Sequence, residues 1–386
     1  MEDKRKVCVV VTARPSYSRI KTALKAIQEH PKLELQLVVA ASALLNRYGS
    51  AIENIEKDGF KVAAKVFNVL EGENLTAAAK TTGIGILELS TVFDNLQPDV
   101  VVTVADRFET IATAIAASYM NIPLAHVQGG EVTGNIDEKV RHAITKLADV
   151  HLVSSISAQE RVIKMGEDPK QVFLTGCPSI DLAKEVLVKD SLPFDPFEKY
   201  GGVGNKLDIS KGYIVVMQHP VTTEYTDSRK HVEETLDAIC QLKIPTLWFW
   251  PNVDAGADGT SKGIRSYREY NDASNIHFFK NMEPTDFLYL IRNADCLVGN
   301  SSVGIRESAY LGVPVVNIGI RQAGRDRSTN VVDVDYNREE IKEAILMQKN
   351  KKRYPSNDLY GDGNAGKNIA EILATTTLTI DKKLMY

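Results

Sequence analysis

Gly299-Asn-Ser-Ser-Val-Gly-Ile-Arg-Glu307 follows an apolar run, Cys296-Leu-Val298, and the reading of this stretch decides the fold. The run reads as a buried strand that stops at Gly299-Asn300. Ser301 and Ser302 are residue types that cap helices, and a segment with helical spacing follows over 304–311. A helix starting after a buried strand offers free main-chain N–H groups, two hydroxyls and the positive end of a dipole, which suits a phosphate. Glu307, about one turn further in, is placed to accept hydrogen bonds from ribose hydroxyls. A capped helix with a solvent-facing Glu would look the same, so the next segment decides. Gly312-Val-Pro-Val-Val-Asn-Ile-Gly319, then Arg321, reads as another buried strand ending beside the first. Two strand ends converging on anion-binding groups point to a nucleotide-diphosphate pocket.

The same texture runs through the chain. Segments 7–11, 35–40, 100–104, 124–127, 151–154 and 172–175 read as buried parallel strands, separated by helical spacing over 18–30, 76–96, 108–120, 138–148 and 157–165. After Leu187 the pattern lapses into Lys189-Asp-Ser-Leu-Pro-Phe-Asp-Pro-Phe197 and Tyr200-Gly-Gly-Val-Gly-Asn205, rich in breakers. Alternation then resumes, with strands expected over 213–217, 246–250, 276–279, 296–298, 313–318 and 331–334. The expected organisation is an α/β fold of two Rossmann-like doubly wound domains with an interdomain cleft. The first spans 1–187, a linker 188–210, and the second, nucleotide-binding, domain 211–386, closed by a terminal helix around Asn364–Leu373.

At 386 residues, two domains are the natural division, and a net charge of -4 argues against a general nucleic-acid binder. No apolar stretch reaches membrane-spanning length, and the start feeds straight into a strand. Cys8, Cys177, Cys240 and Cys296 lie scattered in apolar segments without metal or disulfide spacing. They read as reduced, buried residues of a cytoplasmic protein.

Polar clusters sit just after the expected strands. In Thr12-Ala-Arg-Pro-Ser-Tyr-Ser-Arg19, Arg14 and Arg19 flank a helix start, either to receive a diphosphate or as solvated arginines. In Val104-Ala-Asp106-Arg107, Asp106 ends the most hydrophobic strand, as a base or as a helix cap. His126-Val-Gln128-Gly-Gly-Glu131-Val-Thr-Gly-Asn-Ile-Asp137 leaves backbone accessible and offers two carboxylates, Glu131 and Asp137, with no persuasive metal-ligand spacing. His219, held out of a helix by Pro220, suits a phosphate contact or an acid. Asn252, in Pro251-Asn-Val-Asp-Ala-Gly256, lies in a loop suited to a nucleotide's sugar or base.

Asp106-Arg107, Gly129-Gly-Glu-Val-Thr-Gly-Asn-Ile-Asp137, Arg141-His-Ala-Ile-Thr-Lys-Leu-Ala148, Gln218-His-Pro-Val-Thr-Thr223, Gly299-Asn-Ser-Ser302, Arg321-Gln322 and Gly361-Asp-Gly-Asn-Ala365 closely resemble the hydrolysing UDP-N-acetylglucosamine 2-epimerases of sialic and related acid synthesis. The resemblance is collinear over nearly the whole chain. It implies a fold of the glycosyltransferase-B type, a homodimer or homotetramer, a UDP-linked (or GDP-linked) amino sugar as substrate, and no metal or redox cofactor. By position, Ser301, Ser302, His219, Arg14 and Arg321 would hold the diphosphate, with Glu307 on the ribose and Asn252 nearby. Arg19 stands where the family has Lys. Asp106, Glu131 and Asp137 would surround the sugar, and Arg107 and Gln128 count among the substrate-binding residues. The implied reaction expels UDP from C1 while a base takes the C2 proton; the glycal is then rehydrated and reprotonated on the opposite face.

Departures cluster on the sugar side. The family's His-Gly-Asp-Arg is Val104-Ala-Asp-Arg here, its His-Ile-Glu becomes His126-Val-Gln128, Ser16 replaces an Asp, and Ala43 stands in a region where a His is usual. Gln128 cannot exchange a proton, which shifts acid and base work to Asp106, Asp137 and Glu131. N-acetylglucosamine is the first expected sugar, with UDP- or GDP-linked N,N'-diacetylbacillosamine the alternative. A glycosyltransferase, a non-hydrolysing epimerase and a catalytically silent nucleotide-sugar binder are the competing readings.

Overall fold

The computed structural model describes residues 3–45, 51–70, 75–105, 107–132, 136–189, 191–251 and 257–385. The chain divides into two compact units, Met1–Val132 with Ile136–Asp181 and Tyr360–Tyr386, and a second over Leu182–Leu359. In the first, β1 (Arg5–Val11), β2 (Leu33–Ala40), β3 (Val62–Val66), β4 (Val100–Val104), β5 (Leu124–Val127), β6 (Val150–Val153) and β7 (Val172–Leu174) form one parallel sheet in the order 3-2-1-4-5-6-7. In the second, β8 (Ile214–Met217), β9 (Thr246–Phe249), β10 (Ile276–Phe279), β11 (Cys296–Gly299), β12 (Val315–Ile318) and β13 (Val331–Val334) follow the order 10-9-8-11-12-13, also parallel. Each unit is therefore a doubly wound α/β domain. Strand order reverses at β1/β4 in one and at β8/β11 in the other, the points where such sheets bind ligands.

The apolar runs follow from burial on both faces of each sheet. Along β1, Val7, Val9 and Val11 enter one core while Cys8 and Val10 enter the opposite one. Along β8, Val215 faces one layer and Ile214 and Val216 the other. Each such Val or Ile contributes roughly 1.5–3 kcal/mol on removal from water. The missing period-2 alternation thus identifies parallel, covered strands. β3 escaped the sequence reading because it is an edge strand whose residues are mostly part-exposed or exposed. The described cysteines carry free thiols. Burial pushes the Cys8 thiol up to about 12, consistent with a small hydrophobe. None of the described helices is long and apolar enough to cross a membrane.

Two expectations about the domain division need correcting. Residues 188–210 are packed into the second unit: Phe197 meets the His277 and Phe279 rings, and Val203 exchanges main-chain hydrogen bonds with Phe278 at 2.9 and 2.8 Å. The change of unit falls earlier, between Asp181 and Leu182 of the helix Pro178–Glu185. The terminal helix Ala365–Thr375 belongs to the first unit, where Ile369, Ala370 and Leu373 share a core with Ala23, Leu24 and Ile27. Its helical spacing was plain, but spacing cannot say which sheet an apolar face will cover. Asp181 anchors its start, accepting from the N–H groups of Ala365 (2.9 Å) and Gly366 (2.7 Å) and from the Thr22 hydroxyl (2.8 Å).

Beyond that helix, the tail binds the C-terminal end of the helix Ile136–Leu147. The Lys382 ammonium donates to the carbonyls of Thr145 (3.3 Å) and Ala148, where a cation complements the helix dipole. Lys382 also pairs with Glu167 at 2.5 Å, as does Lys146 at 2.5 Å, and His151 Nε2 lies 3.0 Å from the same carboxylate. Burial pushes the Glu167 carboxyl upward, but hydrogen bonds from His151, Lys146 and Lys382 outweigh it and hold it at about 2. Burial pushes the His151 pKa down, against the Glu167 contact that raises it.

Asp181→Ala should destabilise the protein by about 1–3 kcal/mol, because two buried N–H groups lose their acceptor; urea denaturation measures it, and an unchanged midpoint would refute the anchor. Glu167→Gln should cost about 3 kcal/mol near pH 7. Because the folded-state pKa is depressed, that difference is complete above the carboxyl's ordinary 4.5 and shrinks as pH falls towards about 2. Denaturation curves at stepped pH test the sign.

Candidate functional site

In the second unit the candidate residues gather at the β8/β11 switch point. Gly299 has φ +126°, and a Cβ there would sit 2.1 Å from the Met217 carbonyl oxygen, so β11 can end over β8 only with glycine. The next residue, Asn300, is fully buried and bonds the His219 main chain in both directions: Oδ1 accepts from His219 N–H at 2.7 Å and Nδ2 donates to the His219 carbonyl at 2.8 Å. Its own carbonyl accepts from Arg321 Nη1 (3.1 Å) and Gln322 Nε2 (2.9 Å). Burial pushes the Tyr336 phenol up to about 12. One residue, Asn300, through its side chain and its carbonyl, therefore ties the ends of β8 and β11 to the loop after β12.

Ser301 caps a single 3-10 turn, Ser302–Gly304, its hydroxyl accepting from Val303 N–H at 3.4 Å. The helix expected over 304–311 is reduced to Glu307–Tyr310. So short a helix has little dipole, and an anion bound here would have to be held mostly by side chains. They are present. Arg306, buried, donates from Nη2 to Ser302 Oγ at 3.0 Å and brings Nε within 3.9 Å of Glu307 Oε2. Glu307 is buried rather than solvent-facing, and its Oε2 accepts no hydrogen bond among the described residues. A ligand hydroxyl would satisfy it.

In the first unit, β4 and β5 are each followed at once by a left-handed residue other than glycine: Ala105 (φ 61°) and Gln128 (φ 67°). Backbone of this kind costs about 1–3 kcal/mol and concentrates at functional sites. His126 supports the first of them. It is fully buried, and burial pushes its pKa down to about 3, so it is neutral. Nε2 lies 3.0 Å from the Ala105 carbonyl and Nδ1 3.2 Å from Thr145 Oγ1. A carbonyl requires a donor, which assigns the proton of the neutral ring to Nε2. Ala105 is the residue before Asp106.

The carboxylates of this unit are unequally placed. Glu131 is buried; its Oε1 accepts from Ser154 Oγ at 2.6 Å, and its carbonyl accepts from buried Arg141 Nη1 at 2.8 Å. Gln128 is buried, with Nε2 2.8 Å from Cys177 Sγ and Oε1 accepting no hydrogen bond among the described residues. Arg107 Nε pairs with buried Glu109 at 2.8 Å. Arg14 opens a short helix, Arg14–Ser18, directly after β1, and Arg19 caps its end. Asp137 is the second residue of the helix Ile136–Leu147, the element that also carries Arg141 and Thr145. Asp106 and Asn252 lie outside the described residues. Among the described residues no group of three or more His, Cys, Asp or Glu is arranged to hold a metal ion.

Sequence reasoning missed Asn300, Arg306 and the supporting role of His126. For Arg306 a signal existed: a charged residue between Ile305 and Ala309, both of which pack inward. Asn300→Asp should destabilise the second unit by about 1–3 kcal/mol, since it removes the donor to the His219 carbonyl and leaves oxygen facing oxygen. Urea denaturation checks this, and wild-type stability in that variant would contradict the reciprocal bonding.

Comparison with known proteins bears on these motifs. The family model described as UDP-N-acetylglucosamine 2-epimerase matches residues 25–374. The chain is 32% identical over 375 residues to the UDP-N,N'-diacetylbacillosamine 2-epimerase (hydrolyzing) of Legionella pneumophila, covering 97% of each chain. It is 28% identical over 362 residues to the UDP-N-acetylglucosamine 2-epimerase of Neisseria meningitidis, covering 94% of this chain and 92% of that one. The crystal structure of a UDP-GlcNAc 2-epimerase from Neisseria meningitidis, bound to UDP-GlcNAc, superposes with a TM-score of 0.80 at 18% identity, over 96% of this chain and all of the other. That likeness shows the fold, two Rossmann-like domains of the glycosyltransferase-B type. With its family model spanning 25–374 and a relative 32% identical along its length, the chain belongs to the UDP-N-acetylglucosamine 2-epimerase family.

Proposed function

We propose that this chain is a hydrolysing nucleotide-sugar 2-epimerase, converting a UDP-linked 2-acetamido sugar and water into UDP and the free 2-epimer. The carrying observation is the cluster after β11. A hydroxyl backed by a buried guanidinium, a second arginine on the Asn300 carbonyl and a buried carboxylate oxygen that accepts no hydrogen bond among the described residues meet at the strand ends where such sheets bind nucleotides. Ser301, Ser302, His219, Arg14 and Arg321 take the diphosphate, and Glu307 accepts from the ribose diol, with Asn252 nearby.

The C2 proton of an acetamido sugar has no adjacent carbonyl to acidify it. Elimination answers this: a carboxylate takes the C2 proton as the C1–O bond breaks and its electron pair leaves with UDP. Hydroxyl and guanidinium donors stabilise the charge gathering on the departing diphosphate. Water then adds its oxygen to C1 of the glycal and gives up a proton to a carboxylate, while a carboxylic acid protonates C2 from the other face. The Ser154 bond to Glu131 suits a carboxylate that holds its loop, so we assign the proton transfers to Asp106 and Asp137. His126, on the carbonyl before Asp106, holds that strand end in its strained conformation.

For the sugar, the neutral Gln128 and the 32% identity to a diacetylbacillosamine enzyme favour UDP-N,N'-diacetylbacillosamine. An acetamido group at C4 and a methyl at C6 need fewer charged partners than two hydroxyls. UDP-N-acetylglucosamine is the second reading, supported by the Neisseria relative. We assign the enzyme to the cytoplasm, as a homodimer or homotetramer.

Incubation with UDP-N-acetylglucosamine and with UDP- and GDP-linked N,N'-diacetylbacillosamine, followed by NMR of the products, tests the reading. A free sugar inverted at C2 is expected, and intact nucleotide-sugar after prolonged incubation would reject it. Asp106→Asn and Asp137→Asn should each lower kcat by on the order of 100-fold or more while UDP affinity stays within about threefold.

A further inference from the structure

Arg306 is a buried cation that neither the sequence motifs nor the proposed proton transfers employ, yet its geometry is specific. It is 2% exposed, lies between the part-exposed Ser302 and the buried Glu307, and donates from Nη2 to Ser302 Oγ at 3.0 Å. Ser302 opens the 3-10 turn at the end of β11, and the main chain one residue before Ser301 is fixed by Asn300 to the end of β8. The turn is thus held by the sheet, while the hydroxyl direction is set from behind by the guanidinium. A serine hydroxyl has one proton and two lone pairs. A lone pair that accepts from Arg306 points towards the guanidinium, so the hydroxyl proton is directed away from it. A guanidinium cannot lose its own proton at working pH, so the polarity of this relay is fixed.

We infer that Arg306 is a positioning residue for the nucleotide: by donating to Ser302 Oγ it orients that hydroxyl as a donor to a phosphate oxygen of the nucleoside diphosphate. The inference rests on the nucleotide reading proposed above and adds a residue that does not itself touch the ligand. Arginine is suited to the task because its planar fork reaches the hydroxyl from within the core, where the shorter-ranged, strongly hydrated ammonium of lysine fits poorly. Ser302 therefore serves diphosphate binding only while Arg306 stands behind it.

The test compares UDP binding by calorimetry with uridine binding by ligand-observed NMR titration, in wild type, Arg306→Met, Arg306→Lys, Ser302→Ala and the Arg306→Lys/Ser302→Ala double variant. Arg306→Met should weaken UDP on the order of 10- to 100-fold and uridine by no more than about twofold. Arg306→Lys, which keeps the charge and disturbs the hydrogen bond, should weaken UDP roughly tenfold in the wild-type background and by no more than about twofold on top of Ser302→Ala. Equal losses for UDP and uridine, unchanged UDP affinity, or a lysine effect that persists in full without the Ser302 hydroxyl would each overturn the assignment. Should Arg306→Met not fold, the lysine cycle decides alone. Wild-type protein binding neither UDP nor GDP would instead overturn the nucleotide reading beneath it.

Discussion

Strands that all run one way deliver every strand-to-helix turn to the same edge of a sheet, and there the chain must reverse while keeping its last polar groups satisfied. This protein meets that constraint twice with a buried polar side chain spanning two strand ends. In the second unit Asn300, just past β11, bonds both main-chain groups of His219, just past β8. In the first, His126 near the end of β5 holds the carbonyl of Ala105, just past β4. Neither side chain is exposed, and each fixes backbone from which candidate functional groups extend.

The two devices have different consequences. Asn300 joins groups around a switch point, and through its own carbonyl it also gathers Arg321 and Gln322. The result is a rigid platform for cations and hydroxyls, suited to a ligand part that does not change during reaction. His126 instead supports left-handed backbone next to Asp106, where strain is stored close to proposed chemistry. The helix Ile136–Leu147 supplies the rest of that support: Arg141 holds the Glu131 carbonyl, Thr145 meets His126, and Lys382 of the tail seats its C-terminal end. The tail and the Glu167 cluster thus reach the candidate carboxylates through a single element.

Much of the fold was legible because parallel strands covered on both faces leave uninterrupted apolar runs. β4, β5, β10 and β13 coincide with their expected bounds. β3 was not legible, since an edge strand carries no such run. The site was partly legible for a related reason: ligand-facing loops follow strands, so Ser301, Ser302, His219 and Arg321 could be located by where the apolar runs stopped. Asn300 and Arg306 stand in the same motif, but their roles depend on what lies beside them in space.

By itself, then, the sequence determined two α/β repeats, the strand ends where chemistry belongs, and a family pattern dense enough to indicate nucleotide-sugar chemistry. Burial and periodicity are local properties, and residue order records them. Tertiary structure alone decided that the terminal helix returns to the first unit, that the helix after Ser302 is a single turn, and that a buried arginine stands behind that serine. Those outcomes turn on which surfaces meet and which donor finds which acceptor. Such pairings join residues far apart in the chain or fix side-chain directions, and neither leaves a periodic trace.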